Sequence, residues 1–374
     1  MLLILAIEPY RGPVTTAKVS RTVEVLSVRL KGLGVKGAVE VKKRLLLVTL
    51  PAPLAEQAGT PVAITGTGQL YFYDWEPNVI GPTGTPGPTA TAVTGEATND
   101  GAGGANAGLP EYQAVLRATK RAPILRETDT TWKRGCTPQQ VGGCAFGSWY
   151  LLDTTHEQVL DGPTETEAGL YSGYQPAFEA IPLGGASRAR LLRPASARGS
   201  RRAAIAKAVR VNPGTVLVEA LPTETNSGKV INGAPNSYYV LNDEPVLTDS
   251  DITHPQQSFT EGAGTAGQPS VSFGFTTHGK IAFERVTKEI ARRGLEMELP
   301  GVSKEEAEQH FAVVLDGKLI TVPSIDVTKY PEGITASTGS EITGDFTITS
   351  ARVLADDLQT GALPVRLALI ARPR

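Results

Sequence analysis

The residue types that most often do chemistry are few in this chain, and their spacing does not suit them to it. Four histidines, His156, His254, His278 and His310, stand in 374 residues. None belongs to an H-E-x-x-H or similar pair, which would set two imidazoles on one helix face around zinc. Gly262–Gly267, GAGTAG, matches G-x-G-x-x-G in letters. A dinucleotide site needs a strand before that loop and a helix after it, but here a polar loop precedes it and Gln268-Pro269 follows. There is no P-loop and no G-x-S-x-G elbow. Carboxylates occur close together at Asp249/Asp251, Glu305/Glu306 and Asp356/Asp357. Glycosidases and aspartic hydrolases bring such groups together in space, not in sequence. On turns and helix surfaces, these pairs read as solvated charges. Cys136 and Cys144 frame the turn CTPQQVGGC. They close a small disulfide loop in an oxidising compartment or stay as thiols, and zinc would need two more soft ligands. The reading is a protein without a catalytic constellation, metal or cofactor.

Bulk properties narrow the field further. Hydrophobic residues make up 40% of the chain, enough for two or more packed units. The formal charge of −2 supplies no global field toward nucleic acid or an anionic membrane. Between Glu179 and Glu219 there are eight Arg or Lys and no acid. That stretch reads as a solvated basic face or a partner patch, and it lacks the aromatics that stack on bases. The start, MLLILAIEP, is too short to span a bilayer and lacks a signal peptide's basic region. It reads as a buried strand.

These elements must position whatever the chain does. After the first strand, Val19, Val23, Leu26 and Leu30 recur at helical spacing behind a Thr15 or Thr16 cap, and Gly32 or Gly34 ends that helix. GAVEV and RLLLVTLP predict strands around the basic turn Lys42–Arg44, and QLYFYDW predicts another. Gly81–Gly108 has almost no large apolar residue and reads as a flexible linker. Glu111–Lys120 predicts a short helix, and SWYLLD and GTVLVEAL predict strands. PSVSFGF alternates Val271, Phe273 and Phe275 on one face. THGKIAFERVTKEIARRG predicts an amphipathic helix that stops at Gly294. Asp316-Gly317 predicts a hairpin turn, because both residues tolerate positive φ. Ala351, Leu354 and Leu358 stripe a last helix that ends at Gly361, and LPVRLALIA is a core-grade strand. The pattern at the two ends completes one split α/β layer, with the middle inserted.

Several segments together resemble the large extracytoplasmic (P1) domain of the SecD family of protein-export subunits. YYVLNDEPVLTDSDI resembles the family's Leu-Thr-Gly-x-Asp-Leu turn through Thr248 and Asp251, with Asp249 where glycine is usual. VSFGFTTHGKIAFERVT resembles its Gly-Ala-x-x-Phe-x-x-x-Thr helix through Gly279, Phe283 and Thr287. AVVLDGKLITVPSI resembles its Ile-Val-Leu-Asp-Gly hairpin through Asp316, Gly317 and Pro323. ITGDFTITSARVLADDLQTGALPVRL resembles its ending through Gly344, Phe346, Thr347 and Gly361 to Pro364. VEVLSVRLKGLGV resembles its Arg-Val-Asn-x-Leu-Gly-Val helix end, with Lys31 where asparagine is common.

The resemblance implies an α+β fold. A split ferredoxin-like base is made by both chain ends, residues 1–76 and 345–374, and an α+β head by 238–344. Residues 77–110 are then a linker and 111–237 a family-atypical insertion. The implied role is to bind an unfolded preprotein emerging on the extracytoplasmic face of the bacterial cell membrane. Head and base then move under the proton gradient, with SecF and the SecYEG channel as partners. Implied client-binding residues are Val271, Phe273, Phe275, Val322 and Ile325, and plain core is the alternative for them. Hinges are implied at Asp74, Pro77, Gly344 and Phe346. The family's membrane helices are missing, so the chain is expected to be a soluble piece of a longer protein or a soluble relative. The rival readings are an adhesive or scaffold domain and an extracytoplasmic hydrolase.

Overall fold

The computed structural model describes residues 2–8, 13–32, 34–35, 39–51, 64–80, 108–120, 148–164, 167, 170, 178–182, 189–194, 204–220, 237–261, 266–298, 300–302, 307–343 and 346–371. In chain order its elements begin β1 (Leu2–Glu8), α1 (Thr16–Gly32), β2 (Val39–Lys42), β3 (Leu45–Thr49), β4 (Leu70–Asp74) and α2 (Trp75–Asn78). Then come β5 (Leu109–Pro110), α3 (Glu111–Lys120), β6 (Trp149–Asp153), β7 (Gln158–Thr164), β8 (Phe178–Pro182), β9 (Ala189–Pro194), β10 (Ala204–Arg210), β11 (Thr215–Ala220) and β12 (Ser237–Asn242). The last are β13 (Leu247–Thr248), β14 (Ile252–Phe259), β15 (Pro269–Phe275), α4 (Thr277–Met297), β16 (Phe311–Leu315), β17 (Lys318–Thr321), β18 (Ser340–Ile342), α5 (Ile348–Thr360) and β19 (Arg366–Ala371). The fold is mixed α+β. Two compact units divide it: Met1–Asp74 with Pro245–Arg374, and Trp75–Glu244.

The first unit contains a sheet of order β19-β1-β3-β2 with every pairing antiparallel. The terminal strand is therefore core-grade because it pairs with the first one. Leu3, Leu5 and Ile7 of β1 and Leu46 and Val48 of β3 alternate onto one face and pack with Val25, Leu26 and Leu30 of α1. Burying each such side chain contributes about 1.5–3 kcal/mol before chain entropy is counted. The buried face of α1 is rotated from the expected Val19/Val23 line. It runs through Thr22, Val25, Leu26, Arg29 and Leu30, so a charged side chain lies on it.

A second core in this unit gathers Phe72 of β4, Phe273 and Phe275 of β15, Phe283 and Ile290 of α4, Phe311 of β16, and Ala351, Leu354 and Leu358 of α5. Three strands form the sheet β14-β15-β18. The strand β14 has no clear sequence signal, since it holds Pro255 and a register irregularity between Thr253 and Gln256. Asp316 (φ 51) and Gly317 (φ 76) make the β16–β17 turn as expected. α5 packs on α1 and also on β14 and β15, so it touches both cores of the unit.

In the second unit β7-β6-β10-β9-β8 form a five-stranded antiparallel sheet, and β12 pairs with β11 and β5. α3 supplies Ala114, Val115 and Ala118 to a core with Tyr150, Leu152 and Val240. On β10, Ala206 and Ala208 are buried while Lys207 and Arg210 are exposed.

One helix end differs from expectation. Gly294 does not stop α4, which continues to Met297. A Cβ at Gly294 would lie 2.6 Å from Val327 Cγ1, so this glycine lets the helix approach a buried valine. Helix propensity alone would favour Gly294→Ala by about 1 kcal/mol. Here the clash reverses the sign: Gly294→Ala is expected to cost about 1–3 kcal/mol in urea unfolding. Adding Val327→Ala should then cost less than it does in the wild-type background.

Candidate functional site

The client-binding residues named from sequence lie in one sheet and its surroundings, but most point inward. Val271, Phe273, Phe275 and Ile325 are buried, and Val322 is half-buried. Phe273 meets Phe275 edge-on at 5.3 Å and lies 6.2 Å from Phe72, and Phe275 stacks on Phe283 at 4.8 Å. These rings contact one another and leave little side-chain surface for a ligand. The sheet does offer a border. β18 is a three-residue strand at the edge of β14-β15-β18, paired to β15 from Val271↔Ile342 to Phe273↔Ser340.

The named hinge residues have varied surroundings. Asp74 is buried and accepts a hydrogen bond from Arg293 Nη2. The Pro77 carbonyl accepts one from Asn242 Nδ2 at 3.2 Å. Phe346 packs half-buried against the second core of the first unit. Gly344, Cys136 and Cys144 lie outside the described residues.

The strongest polar constellation was not anticipated. Arg29, in the last turn of α1, is fully buried. Its Nη1 donates to the carbonyls of Gly66 and Ile64, the latter at 3.4 Å. Its Nε meets Asp357 Oδ1 at 2.5 Å. This is an ion contact without hydrogen-bond alignment, since Arg29 Nε, Arg29 Nη2 and Asp357 Oδ1 have no hydrogen-bond partner among the described residues. From the other side Asp316 holds the same loop. Its carboxylate accepts from Thr67 Oγ1, from Gly68 N at 3.1 Å and from Gln69 N at 2.9 Å. Leu363 N donates to the Thr67 carbonyl at 2.7 Å. The groups converge on Gly68, whose absent Cβ would lie 2.8 Å from Arg29 Nη2 and 3.4 Å from Asp357 Cβ. The loop 64–69 is thus gripped by α1, α5, the β16–β17 turn and the segment leading into β19.

This corrects the reading of Asp356/Asp357 as a solvated pair. Asp357 is buried, and a Cβ on Gly32 of α1 would overlap Asp356 Oδ2. A helix that carries Leu354 and Leu358 into a core takes Asp357 inward as well, where Arg29 meets it and burial raises its affinity for a proton. Asp251 is also buried; it accepts from Thr248 N at 2.9 Å and pairs with His278 Nδ1 at 2.7 Å. That places His278 at the start of α4, orienting a turn. In the second unit, Asp153 pairs with His156 Nδ1 at 2.6 Å. Also there, burial and the nearby Glu111 and Glu219 push Tyr238 up to about 12. Among the described residues no three His, Cys, Asp or Glu gather to hold a metal, and no helix is long and apolar enough to cross a membrane.

Comparison with known proteins finds a likeness over part of the chain. Residues 223–365 match the family model described as SecDF, P1 head subdomain. The relatives are the protein translocase subunit SecD: from Rickettsia bellii, 30% identical over 141 residues, covering 38% of this chain and 22% of that protein; and from Rhodobacter capsulatus, 31% identical over 133 residues, covering 36% and 19%. The chain thus spans about a fifth of the length of the SecD relatives it matches. The matched family consists of translocase subunits, not enzymes in the catalytic sense. A solved structure of SecDF, a membrane component that enhances protein export, aligns over 100% of both chains at 16% identity with a TM-score of 0.41.

The convergence on Gly68 makes a direct prediction. Gly68 has φ +74 and no room for a methyl group. Gly68→Ala is expected to cost about 2 kcal/mol or more in denaturant unfolding, from backbone strain and the clash together. A cost below about 0.5 kcal/mol, the usual surface range, would mean that the loop is not held as described.

Proposed function

We propose that this chain is the extracytoplasmic part of a Sec accessory subunit that binds an unfolded preprotein and helps it across the membrane. The observation that carries this reading is the match of residues 223–365 to the SecDF P1 head subdomain. In this reading residues 1–76 and 345–374 form a split ferredoxin-like base, and 238–344 form the head. The all-antiparallel order β19-β1-β3-β2, with α1 after β1 and α5 before β19, supports such a base. Residues 77–110 act as linker and 111–237 as an added insertion.

The client is held through the border of the head sheet. A short edge strand such as β18 offers backbone groups to an extended peptide, and main-chain pairing is indifferent to sequence. Weak, tolerant binding is what an export aid requires. The buried positions of Val271, Phe273, Phe275 and Ile325 support a role in bracing that border, with Val322 nearer the surface. Asp74, Pro77, Gly344 and Phe346 are the proposed hinges between moving parts. SecF and the SecYEG channel are the proposed partners, and the proton gradient acts through membrane segments of the full-length protein.

Fluorescence anisotropy tests this with a labelled secretory preprotein, once held unfolded and once as its folded mature form. Binding to the unfolded form alone is expected. Equal binding to both forms, or to the folded form only, would overturn the reading. Phe273→Ala should cost about 3–5 kcal/mol of stability, so its binding is measured only below its melting point.

A further inference from the structure

We propose that Arg29, Asp316, Asp356 and Asp357 form a pH-responsive clasp around Gly68, shut when the cluster holds one extra proton and loosened when it does not. The clasp adds regulation to the base and head movement proposed above and rests on that reading for its biological use. Its test needs neither client nor channel, so its failure would leave the client-binding reading standing.

The charge balance carries the argument. Arg29 meets Asp357 and already spends Nη1 on the carbonyls of Ile64 and Gly66, while Asp316 and Asp356 add two more carboxylates that act on Asp357, with exposed Arg352 drawing on Asp356. With all three acids ionised, negative charge exceeds positive even with Arg352 counted, around a buried Asp357 and the half-buried Asp316 and Asp356. Such a site gains by taking up a proton. The proton belongs to the cluster, and Asp357 is its most buried member. Burial raises the Asp357 carboxyl, Arg29 pulls it down, and Asp316 and Asp356 push it up; the balance leaves it at about 7. Burial also raises Asp356, against the pull of Arg352. Of the other elements packed on α5, β15 carries no ionisable side chain and β14 carries only His254.

The direction follows from linkage. The shut form binds the proton more tightly than a form in which Asp357 meets water and has an ordinary carboxylate affinity. Lower pH therefore favours the shut form. As pH rises from the ordinary carboxylate range toward about 7, that advantage is lost. Above it, the shut form carries the surplus charge in full. This is opposite to a simple buried ion pair, which would tighten as its acid ionised. The contacts at stake are those that fasten α5 and its exit: Asp357 to Arg29, Leu363 N to the Thr67 carbonyl, and Thr360 O to Arg21 Nη2. Opening them frees the segment that touches both cores of the first unit.

The test is hydrogen exchange of the whole chain at about pH 6 and about pH 8, with rates corrected for intrinsic exchange, on peptides covering 64–69 and 348–360. In the wild type, protection of both peptides is expected to fall roughly tenfold at the higher pH, while β6 and β10 stay unchanged. Asp357→Asn carries no charge at either pH and should keep the low-pH protection at both. Protection that is unchanged or higher at the higher pH in the wild type would overturn the clasp. So would an Asp357→Asn protein less protected than wild type at the higher pH, as an essential ion pair demands. Should that variant not fold, carboxyl-carbon NMR of the wild type decides. A midpoint for Asp357 near 7 supports the clasp, and one in the ordinary carboxylate range refutes it.

Discussion

A guanidinium with no exposure to solvent has to be met on every side by something that can answer its charge, and around Arg29 much of the first unit is arranged to do so. The demand draws in two backbone carbonyls from the loop 64–69 and the carboxylate of Asp357 from α5. Once the loop is drawn in, its own amides need acceptors, and Asp316 at the tip of the β16–β17 hairpin supplies them. Residues from widely separated parts of the chain thus meet at one glycine. The hydrophobic cores on either side contribute most of the stability, but apolar packing is non-directional. The polar cluster fixes how α1, α5 and the hairpin are set against one another.

That arrangement gives physical content to a divided first unit. One core lies between α1 and its sheet, and the other is rich in phenylalanine. α5 packs toward both, and the polar cluster lies at its C-terminal turn. An element placed so can transmit a small shift from one core to the other, and charge in a poorly solvated cluster is a lever on it. The match of residues 223–365 to a SecDF P1 head subdomain supports the export role proposed above, and such a role would use parts that move.

Much of the fold could be read from residues, and the exceptions share a cause. The Asp316-Gly317 turn, the Gly361 stop and the alternation of Val271, Phe273 and Phe275 are local signals, and each appears where local chemistry puts it. Gly294 was misread because a glycine that ends a helix and one that admits a neighbour look alike in sequence; only Val327 tells them apart. The strand β14 was hidden by Pro255 and its polar residues, since pairing with β15 and packing on α5 override weak propensity. Arg29 and Asp357 were missed because a charge on a helix is normally solvated. The one available hint was that Asp357 sits beside Leu358 and three places after Leu354, on the inward side of its helix.

The central claim is that Arg29 ties the two cores of the first unit into one cooperative body. It is tested most directly by hydrogen exchange across a denaturant series, comparing β1 and β3 with α4 and β15 in the wild type and in Arg29→Met. The account predicts that both sets of amides open together in the wild type, and that in Arg29→Met they separate into two transitions. A single shared transition in Arg29→Met, at the wild-type midpoint, would contradict it.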